Sequence, residues 1–211
     1  MNDRQIRAEL MKFTKRAYFQ DRMFAATSGN LSFFDREHGR MYITPSSYPY
    51  EDMTEDDMVV VDLDGNKLVE SPHRPSSEWK LHAAIYRAFE DQCAVVHTHS
   101  PYATSFSINH MPIPVVLYEI AMFLGGDIPF AESAIPGDPA VGENCVKVMG
   151  ERYGCLMGNH GAVAMGETLA QAYTRVVYIE DAAKAYSFAL NNGPVVPIEH
   201  AEYEEFIRRC K

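Results

Sequence analysis

The sequence predicts an α+β fold in which helices cover both sides of a central, mostly antiparallel β-sheet, an α/β/α layered arrangement. Apolar residues recur at three- and four-residue spacing in long stretches near both ends of the chain, which is typical of amphipathic helices. Short β-branched runs come in pairs separated by turn residues, as in hairpins. Because helical and strand segments are interspersed, with no linker or repeat, we expect one domain spanning residues 1–211.

Composition and charge exclude several classes of function. The 211 residues are 46% hydrophobic and 23% charged, with a net charge of −10 and no block of lysine or arginine, which argues against a nucleic-acid partner. No apolar run is long enough to span a bilayer, and the N-terminus is polar where a signal peptide is hydrophobic. We therefore expect a cytoplasmic protein with no membrane partner. The four cysteines form no Cys-x-x-Cys pair, so a disulfide framework is not expected.

Helical periodicity is clearest in five segments, which are residues 3–22, 76–90, 101–108, 141–153 and 168–191. For the first, a surface helix packed on the core is favoured over a membrane-bound basic helix. In the second, Ser76 or Ser77 caps a helix that carries Glu78 in its first turn. His82, one turn beyond Glu78, could approach the site but is interpreted as part of a polar helix face. The tail, residues 197–211, is amphipathic and carries no obvious chemistry.

Strand signals alternate with these helices. They predict hairpins of residues 31–34 with 41–44, 59–63 with 67–69, and 155–157 with 162–165, together with single strands at 94–97 and 115–117.

The strand at residues 94–97 runs directly into a His-x-His pair, His97 and His99. Side chains alternate faces along a strand, so both imidazoles point to the same side. Such pairs are often only solvent-facing, but neutral imidazole is also a preferred ligand of zinc and its first-row neighbours. A third histidine, His160, lies in a glycine-flanked turn, and Glu78 offers a carboxylate. Three histidines that leave an open metal position, with a carboxylate as base, favour a metal enzyme.

Three turns rich in hydroxyl groups form a second pattern. Each alone is more often an ordinary turn or cap, but such turns also bind phosphate without cationic side chains. An acidic protein has to hold a phosphate by local dipoles of this kind. The candidate phosphate-binding residues are Thr27, Asn30, Ser46, Ser47, Ser76 and Ser77.

Tyr118 follows a short predicted strand, where it is either an acid near the metal or a core or interface tyrosine. Glycine-rich dinucleotide and Walker motifs are missing, and so is His-Glu-x-x-His, which disfavours nucleotide-dependent and zinc-protease chemistry.

Seven motifs in order make the chain resemble the zinc-dependent class II sugar-phosphate aldolases of the fuculose-1-phosphate aldolase type, which share a superfamily with ribulose-5-phosphate 4-epimerases. The match covers nearly the whole chain. The motifs are Thr27-Ser-Gly-Asn30, Ile43-Thr-Pro-Ser-Ser47, Pro49-Tyr-Glu51, Pro75-Ser-Ser-Glu78-Trp79, Val96-His-Thr-His99, Gly125-Gly126 and Asn159-His-Gly161.

This resemblance implies a role for each matching residue. His97, His99 and His160 would bind one Zn²⁺ per subunit, with Mn²⁺ or Co²⁺ as alternatives, and Glu78 would be the acid/base residue. Tyr118 would reach a neighbouring subunit's site and protonate the leaving aldehyde. The six hydroxyl and amide residues named above would hold the phosphate of a small phosphorylated sugar. The resemblance further implies a cytoplasmic homotetramer with active sites at subunit interfaces.

The expected reaction is retro-aldol cleavage of a ketose 1-phosphate, of the L-fuculose or 5-deoxypentulose type, to dihydroxyacetone phosphate and a small aldehyde. The similar 4-epimerases tend to carry Asp at the position of Glu78, so aldolase is favoured. A methylthioribulose-1-phosphate dehydratase and a non-enzymatic membrane-skeleton-binding domain are further alternatives. The chain departs from the aldolase pattern at Ser46-Ser47, where the family has Thr-Gly, and at Asn159, where it has His.

Overall fold

The computed structural model describes residues 1–210, and its centre is a seven-stranded sheet. The strands are β1 (Asn30–Asp35), β2 (Arg40–Ile43), β3 (Val59–Val61), β4 (Ala94–Thr98), β5 (Phe130–Ala131), β6 (Gly154–Met157) and β7 (Gly161–Gly166). Their spatial order is β3-β2-β1-β4-β7-β6-β5. Only the β5–β6 pair at one edge is parallel; the other neighbours are antiparallel.

Within the described residues, seven α-helices flank this sheet. They are α1 (Asp3–Lys15), α2 (Trp79–Ala88), α3 (Pro101–Ile108), α4 (Tyr118–Leu124), α5 (Pro139–Met149), α6 (Leu169–Asn192) and α7 (His200–Cys210). A five-residue π-helical segment, Arg16–Gln20, continues α1. None of these helices is both long and apolar enough to cross a membrane.

The helices divide between the two faces of the sheet. α1, α3, α4 and α6 pack on one face in a core that includes Val96 of β4. α2 and α5 pack on the other face with Val95, the preceding residue of the same strand. Strand alternation thus gives β4 two buried faces, and the layered α+β fold expected from the sequence is confirmed.

β4 lies in the middle of the sheet, between β1 and β7. Its residue His97 pairs with Asn30 of β1 on one side and with Val163 of β7 on the other. His97 alternates with Val96 and therefore points to the face that carries α2. This placement brings the end of β4 under the beginning of α2.

The start of α2 differs from the prediction. The helix begins at Trp79, so Glu78 precedes it and is not in its first turn. The Ser76 carbonyl accepts a hydrogen bond from the Trp79 N–H at 3.1 Å, and the Ser76 hydroxyl accepts one from the Glu78 N–H at 3.3 Å. The serines thus shape a turn before the helix, and this turn directs Glu78 towards β4.

Two predicted strands are wrong. Residues 67–69 form only an isolated bridge, Lys67 with Val61, because the Asp62 carboxylate accepts the N–H groups of Asp64 and Asn66 and closes the turn locally. Residues 115–117 are not a strand either, since Leu117 is the residue that precedes α4.

Several boundaries and elements were also missed. α1 with its π-helical continuation ends at Gln20, short of the predicted residue 22. α5 runs from Pro139 to Met149 and stops before Gly150, which adopts φ 55°. The sequence prediction contained neither β5 nor α4, and the tail predicted as residues 197–211 contains α7, with Lys211 outside the described residues.

Candidate metal centre and substrate cleft

Glu78, His97, His99 and His160 converge at the end of β4. One ligand atom from each of the four lies within 4.8 Å of all the others. The His97 and His99 Nε2 atoms are 2.9 Å apart, and the His160 Nε2 lies 3.0 Å from Glu78 Oε1. The structure therefore brings together the four residues that the sequence singled out from three distant segments.

Backbone carbonyls fix the His97 ring and, through its main-chain N–H, the backbone of His99. The His97 Nδ1–H donates to the carbonyl of Ala162 at 2.9 Å, which leaves the Nε2 lone pair facing the cluster. The His99 N–H donates to the carbonyl of Met23 at 3.1 Å.

His160 owes its position to Gly161. A Cβ at that glycine would lie 2.2 Å from the carbonyl oxygen of Thr98, so any other residue would push β7 away from β4.

Burial sets the electrostatics of the cluster. Burial lowers the pKa of His97 to about 4, although the Glu78 carboxylate opposes the shift; burial also lowers the pKa of His99. For Glu78, burial disfavours the charged form, but the adjacent His97 and His160 imidazoles outweigh burial, so the pKa of Glu78 falls below the usual range. Neutral imidazoles beside a carboxylate are the protonation states that a divalent cation requires.

The donor set fits a divalent metal ion on two observations. Imidazole Nε2 atoms that approach to 2.9 Å are best satisfied by a shared cation. The Glu78 Oε1 atom is buried and makes no hydrogen bond of standard geometry, although His160 is close. Buried charged oxygens without partners are costly, and a cation among these four residues would satisfy this one.

A cleft of about 550 Å³ opens directly above the cluster. All six predicted phosphate-binding residues line it, and no lysine or arginine of the described chain does. The predicted residues at its wall are Thr27, Asn30, Ser46, Ser47, Ser76 and Ser77.

The hydroxyl turns approach this cleft in different ways. The Ser46 and Ser76 N–H groups already donate to the carbonyls of Arg74 and Thr44, so these two serines can offer only their hydroxyls. Ser47 adopts φ 55°, a left-handed conformation that glycine adopts more readily.

Tyr118 does not reach the cleft of its own chain. It is the first residue of α4, and its hydroxyl donates a hydrogen bond to Glu202 of α7. This hydrogen bond raises the pKa of Tyr118. The predicted acid and the metal cluster therefore lie apart within one chain.

Sequence reasoning missed other residues of this region. Thr104 and Pro136 also line the cleft. So does Asn159, which was noted from the sequence only within a motif, and its Oδ1 accepts a hydrogen bond from His110 at 2.7 Å. His82, interpreted as part of a polar helix face, is fully buried and hydrogen-bonded to Asn30. The four-residue spacing from Glu78 to His82 was the available signal.

The chain is similar to known proteins over most of its length. A family model described as Class II Aldolase and Adducin N-terminal domain matches residues 8–187. The 5-deoxy-D-ribulose 1-phosphate aldolase of Bacillus thuringiensis serovar kurstaki is 34% identical over 183 residues, which cover 87% of this chain and 85% of the relative. The L-ribulose-5-phosphate 4-epimerase of Salmonella paratyphi C is 37% identical over 185 residues, covering 82% and 81%.

Solved structures agree with these relatives. An L-fuculose 1-phosphate aldolase superposes with a TM-score of 0.92 at 36% identity, over 98% of this chain and 96% of that one.

Proposed function

The chain belongs to the class II aldolase and adducin N-terminal domain family, in which it is a metal-dependent enzyme of the aldehyde-lyase class, and from this premise we propose its reaction. The proposed reaction is cleavage of a ketose 1-phosphate, of the L-fuculose or 5-deoxypentulose type, to dihydroxyacetone phosphate and a small aldehyde. The observation that carries the proposal is the position of the Glu78 and histidine cluster at the base of a cleft walled by hydroxyl groups.

In this proposal His97, His99 and His160 hold the metal ion, which is Zn²⁺, with Mn²⁺ or Co²⁺ as substitutes. When bound, the ion supplies Lewis-acid polarisation of the ketose carbonyl. Three imidazoles and one carboxylate suit zinc chemistry. The buried floor keeps bulk water away from these groups, since the His97 side chain is 0% exposed and that of Glu78 9%.

Glu78 moves the proton at the carbon where the bond breaks. Cleavage of the C–C bond leaves the enediolate of dihydroxyacetone phosphate, and Glu78 delivers a proton to its carbon; in the reverse direction Glu78 removes that proton. The Oε1 atom, without a standard hydrogen bond, is the oxygen suited to this exchange.

The phosphate is held by neutral donors in the proposed complex. The hydroxyls of Thr27, Ser46, Ser47, Ser76 and Ser77 surround the cleft together with the Asn30 amide. Since no lysine or arginine among residues 1–210 lines the cleft, the metal would be the dominant positive charge at the site. Several neutral hydrogen-bond donors together orient the phosphate, and this orientation aligns the ketose carbonyl with the Glu78 and histidine cluster.

In cleavage, the hydroxyl on the carbon that becomes the aldehyde gives up its proton as the C–C bond breaks, and Tyr118 of a neighbouring subunit relays that proton away. In the reverse direction Tyr118 supplies the proton to the aldehyde oxygen. Its absence from the lining of its own cleft supports this assignment. The proposal includes a cytoplasmic homotetramer whose active sites lie at subunit interfaces, as the resemblance implies. Head-to-tail contacts in a ring place the same surface of each chain next to the following chain's cleft.

The second candidate is epimerisation at C4 of a pentulose 5-phosphate, favoured by the 37% identity to the 4-epimerase. Both reactions share metal-assisted chemistry on a phosphorylated ketose. Glu78 favours the aldolase, since the resemblance associates the epimerases with Asp at this position.

The test is product detection with purified, zinc-loaded protein and a panel of ketose 1-phosphates, including L-fuculose 1-phosphate and 5-deoxyribulose 1-phosphate. Reduction of dihydroxyacetone phosphate by a coupling dehydrogenase reports cleavage. We expect activity that a chelator removes and zinc restores. Absence of cleavage across the panel with metal bound would overturn the aldolase, and epimerisation of L-ribulose 5-phosphate or dehydration of methylthioribulose 1-phosphate would then identify the reaction.

A further inference from the structure

A row of buried polar side chains lies behind Glu78, between β1 and α2. Asn30 and Ser32 come from the strand, and His82 and Tyr86 from the helix. Ser32, His82 and Tyr86 are each 0% exposed, although a polar group removed from water is costly unless it is paired. None of these three residues lines the substrate cleft.

This row forms because side chains on one face of the helix and on one face of the strand recur at nearly the same distance. Four residues of helix rise about 6 Å, and two residues of strand rise about 6.6 Å. Glu78, His82 and Tyr86 therefore face β1 at nearly the same interval as Asn30 and Ser32 face α2. The side chains interleave in the order Glu78, Asn30, His82, Ser32, Tyr86.

Hydrogen bonds connect every neighbouring pair in this order. Asn30 Nδ2 lies 2.7 Å from Glu78 Oε2, and His82 Nε2 lies 2.5 Å from Asn30 Oδ1. Ser32 Oγ is 2.6 Å from His82 Nδ1 and 2.6 Å from the Tyr86 hydroxyl. The hydrogen bonds thus form a continuous series from Tyr86 in the core to the Glu78 carboxylate.

The donor and acceptor groups of these side chains fix the direction of each hydrogen bond in the series. The Asn30 Oδ1 can only accept, so His82 donates from Nε2–H and, as a neutral ring, accepts at Nδ1 from the Ser32 hydroxyl. Ser32 in turn accepts from Tyr86. Burial lowers the pKa of His82 to about 3, in agreement with a neutral ring. Every donor points towards Glu78, and hydrogen bonds aligned in this way strengthen one another.

We propose that His82 is a positioning residue that locks the Asn30 amide so that Asn30 holds Glu78 Oε2 and leaves Oε1 for proton exchange. With the amide reversed, Asn30 Oδ1 would face the Glu78 carboxylate and repel it. Asn30 also lines the cleft and has a second Nδ2 hydrogen, so the same lock aims this donor at the substrate. The catalytic part of this inference rests on the proposed function.

The test compares two substitutions of His82. His82→Leu removes the donor to Asn30, and we expect kcat to fall by about 10- to 100-fold with bound metal retained. His82→Gln can still donate to Asn30 and is expected to recover most of the loss. Tyr86→Phe, which leaves the His82–Asn30 bond in place, is expected to cost much less. Equal kcat per folded molecule in the Leu, Gln and wild-type proteins would contradict the proposed positioning role of His82.

A second readout does not depend on folding of a variant or on the reaction. Nitrogen NMR of wild-type protein labelled at histidine is expected to show His82 neutral, protonated at Nε2 and not at Nδ1. A proton on Nδ1 in an active enzyme would refute the lock and leave the proposed aldolase standing. The expected tautomer in a protein that cleaves no ketose phosphate would support the lock while the proposed function fails.

Discussion

The two ends of the proposed site differ in how they are built. The metal end lies on the central strand and is buried, the Ala162 carbonyl orients the His97 ring, and the Met23 carbonyl holds the backbone of His99. The aldehyde end is represented by Tyr118, a partly exposed residue whose hydroxyl contacts Glu202 at the surface. The first end is assembled within one chain, whereas the second needs a neighbouring subunit in our proposal. A single chain can therefore bind metal and hold phosphate without being able to complete the reaction.

The largest expected effect is at the buried end. His97→Ala removes one of the three imidazoles proposed to hold the metal, so metal and turnover should be lost together, with kcat/KM lower by on the order of 10³-fold. Metal content by mass spectrometry and the coupled assay measure both quantities. His38→Ala, at an exposed histidine, is the matched control, and full activity of metal-free His97→Ala would contradict the metal mechanism.

Replacement of the acid/base residue should separate binding from catalysis. Glu78→Gln keeps the shape of the side chain, so metal should be retained while kcat falls by about 10²- to 10⁴-fold. Glu37→Gln makes the same chemical change at an exposed position of the turn between β1 and β2 and should leave kcat unaltered. An active Glu78→Gln enzyme would mean that another group moves the proton.

At the exposed end, Tyr118→Phe should slow cleavage but spare proton exchange on dihydroxyacetone phosphate, because only the aldehyde oxygen loses its proton carrier. Tyr18→Phe is the control, since Tyr18 also donates to a surface carboxylate, Glu51. Equal loss of cleavage and exchange would remove Tyr118 from this role.

Mixed assemblies sharpen the contrast between the two ends. When Glu78→Gln and Tyr118→Phe subunits are dissociated and reassembled together, about a quarter of the sites should combine an intact Glu78 with an intact Tyr118 from the neighbour. Activity should then recover above that of either parent. No recovery in assemblies shown to be mixed would place Tyr118 outside the neighbour's site.

The smallest expected effect concerns the phosphate turn. Ser47 has φ 55°, so Ser47→Gly relieves backbone strain and should raise the free energy of unfolding by about 1 kcal/mol. Ser46→Gly, at a position without positive φ, should lower it. Denaturant unfolding measures both, and a destabilised Ser47→Gly would mean that hydroxyl contacts outweigh the strain.

The features predicted correctly from the sequence are those set by residues close together in the chain, such as strand alternation and short turns. Alternation predicted that His97 and His99 point to the same side, and their Nε2 atoms lie 2.9 Å apart. Turn residues identified the β1–β2 and β6–β7 hairpins. The Asp-Gly turn at residues 64–65 failed as a hairpin signal because the Asp62 side chain satisfied the turn without a return strand.

His82 shows what local patterns omit. A histidine on an amphipathic helix suggested a solvent-facing position, yet its partner Ser32 lies 50 residues earlier in the chain. Only the packing of β1 against α2 decides that this helix face is buried. Tyr118 is a similar case, since its contact with Glu202 spans 84 residues.

The position of β4 also bears on how the protein acquires its shape. Asn30 and Glu78 are 48 residues apart, and His97 and the Ala162 carbonyl that orients it are 65 apart. Pairings this distant slow folding, because a long loop must close before the contact forms. The ligand set thus comes into existence only after both halves of the chain have met. Added metal should leave the rates of the early refolding phases unaltered and should lower the rate of unfolding of the native protein.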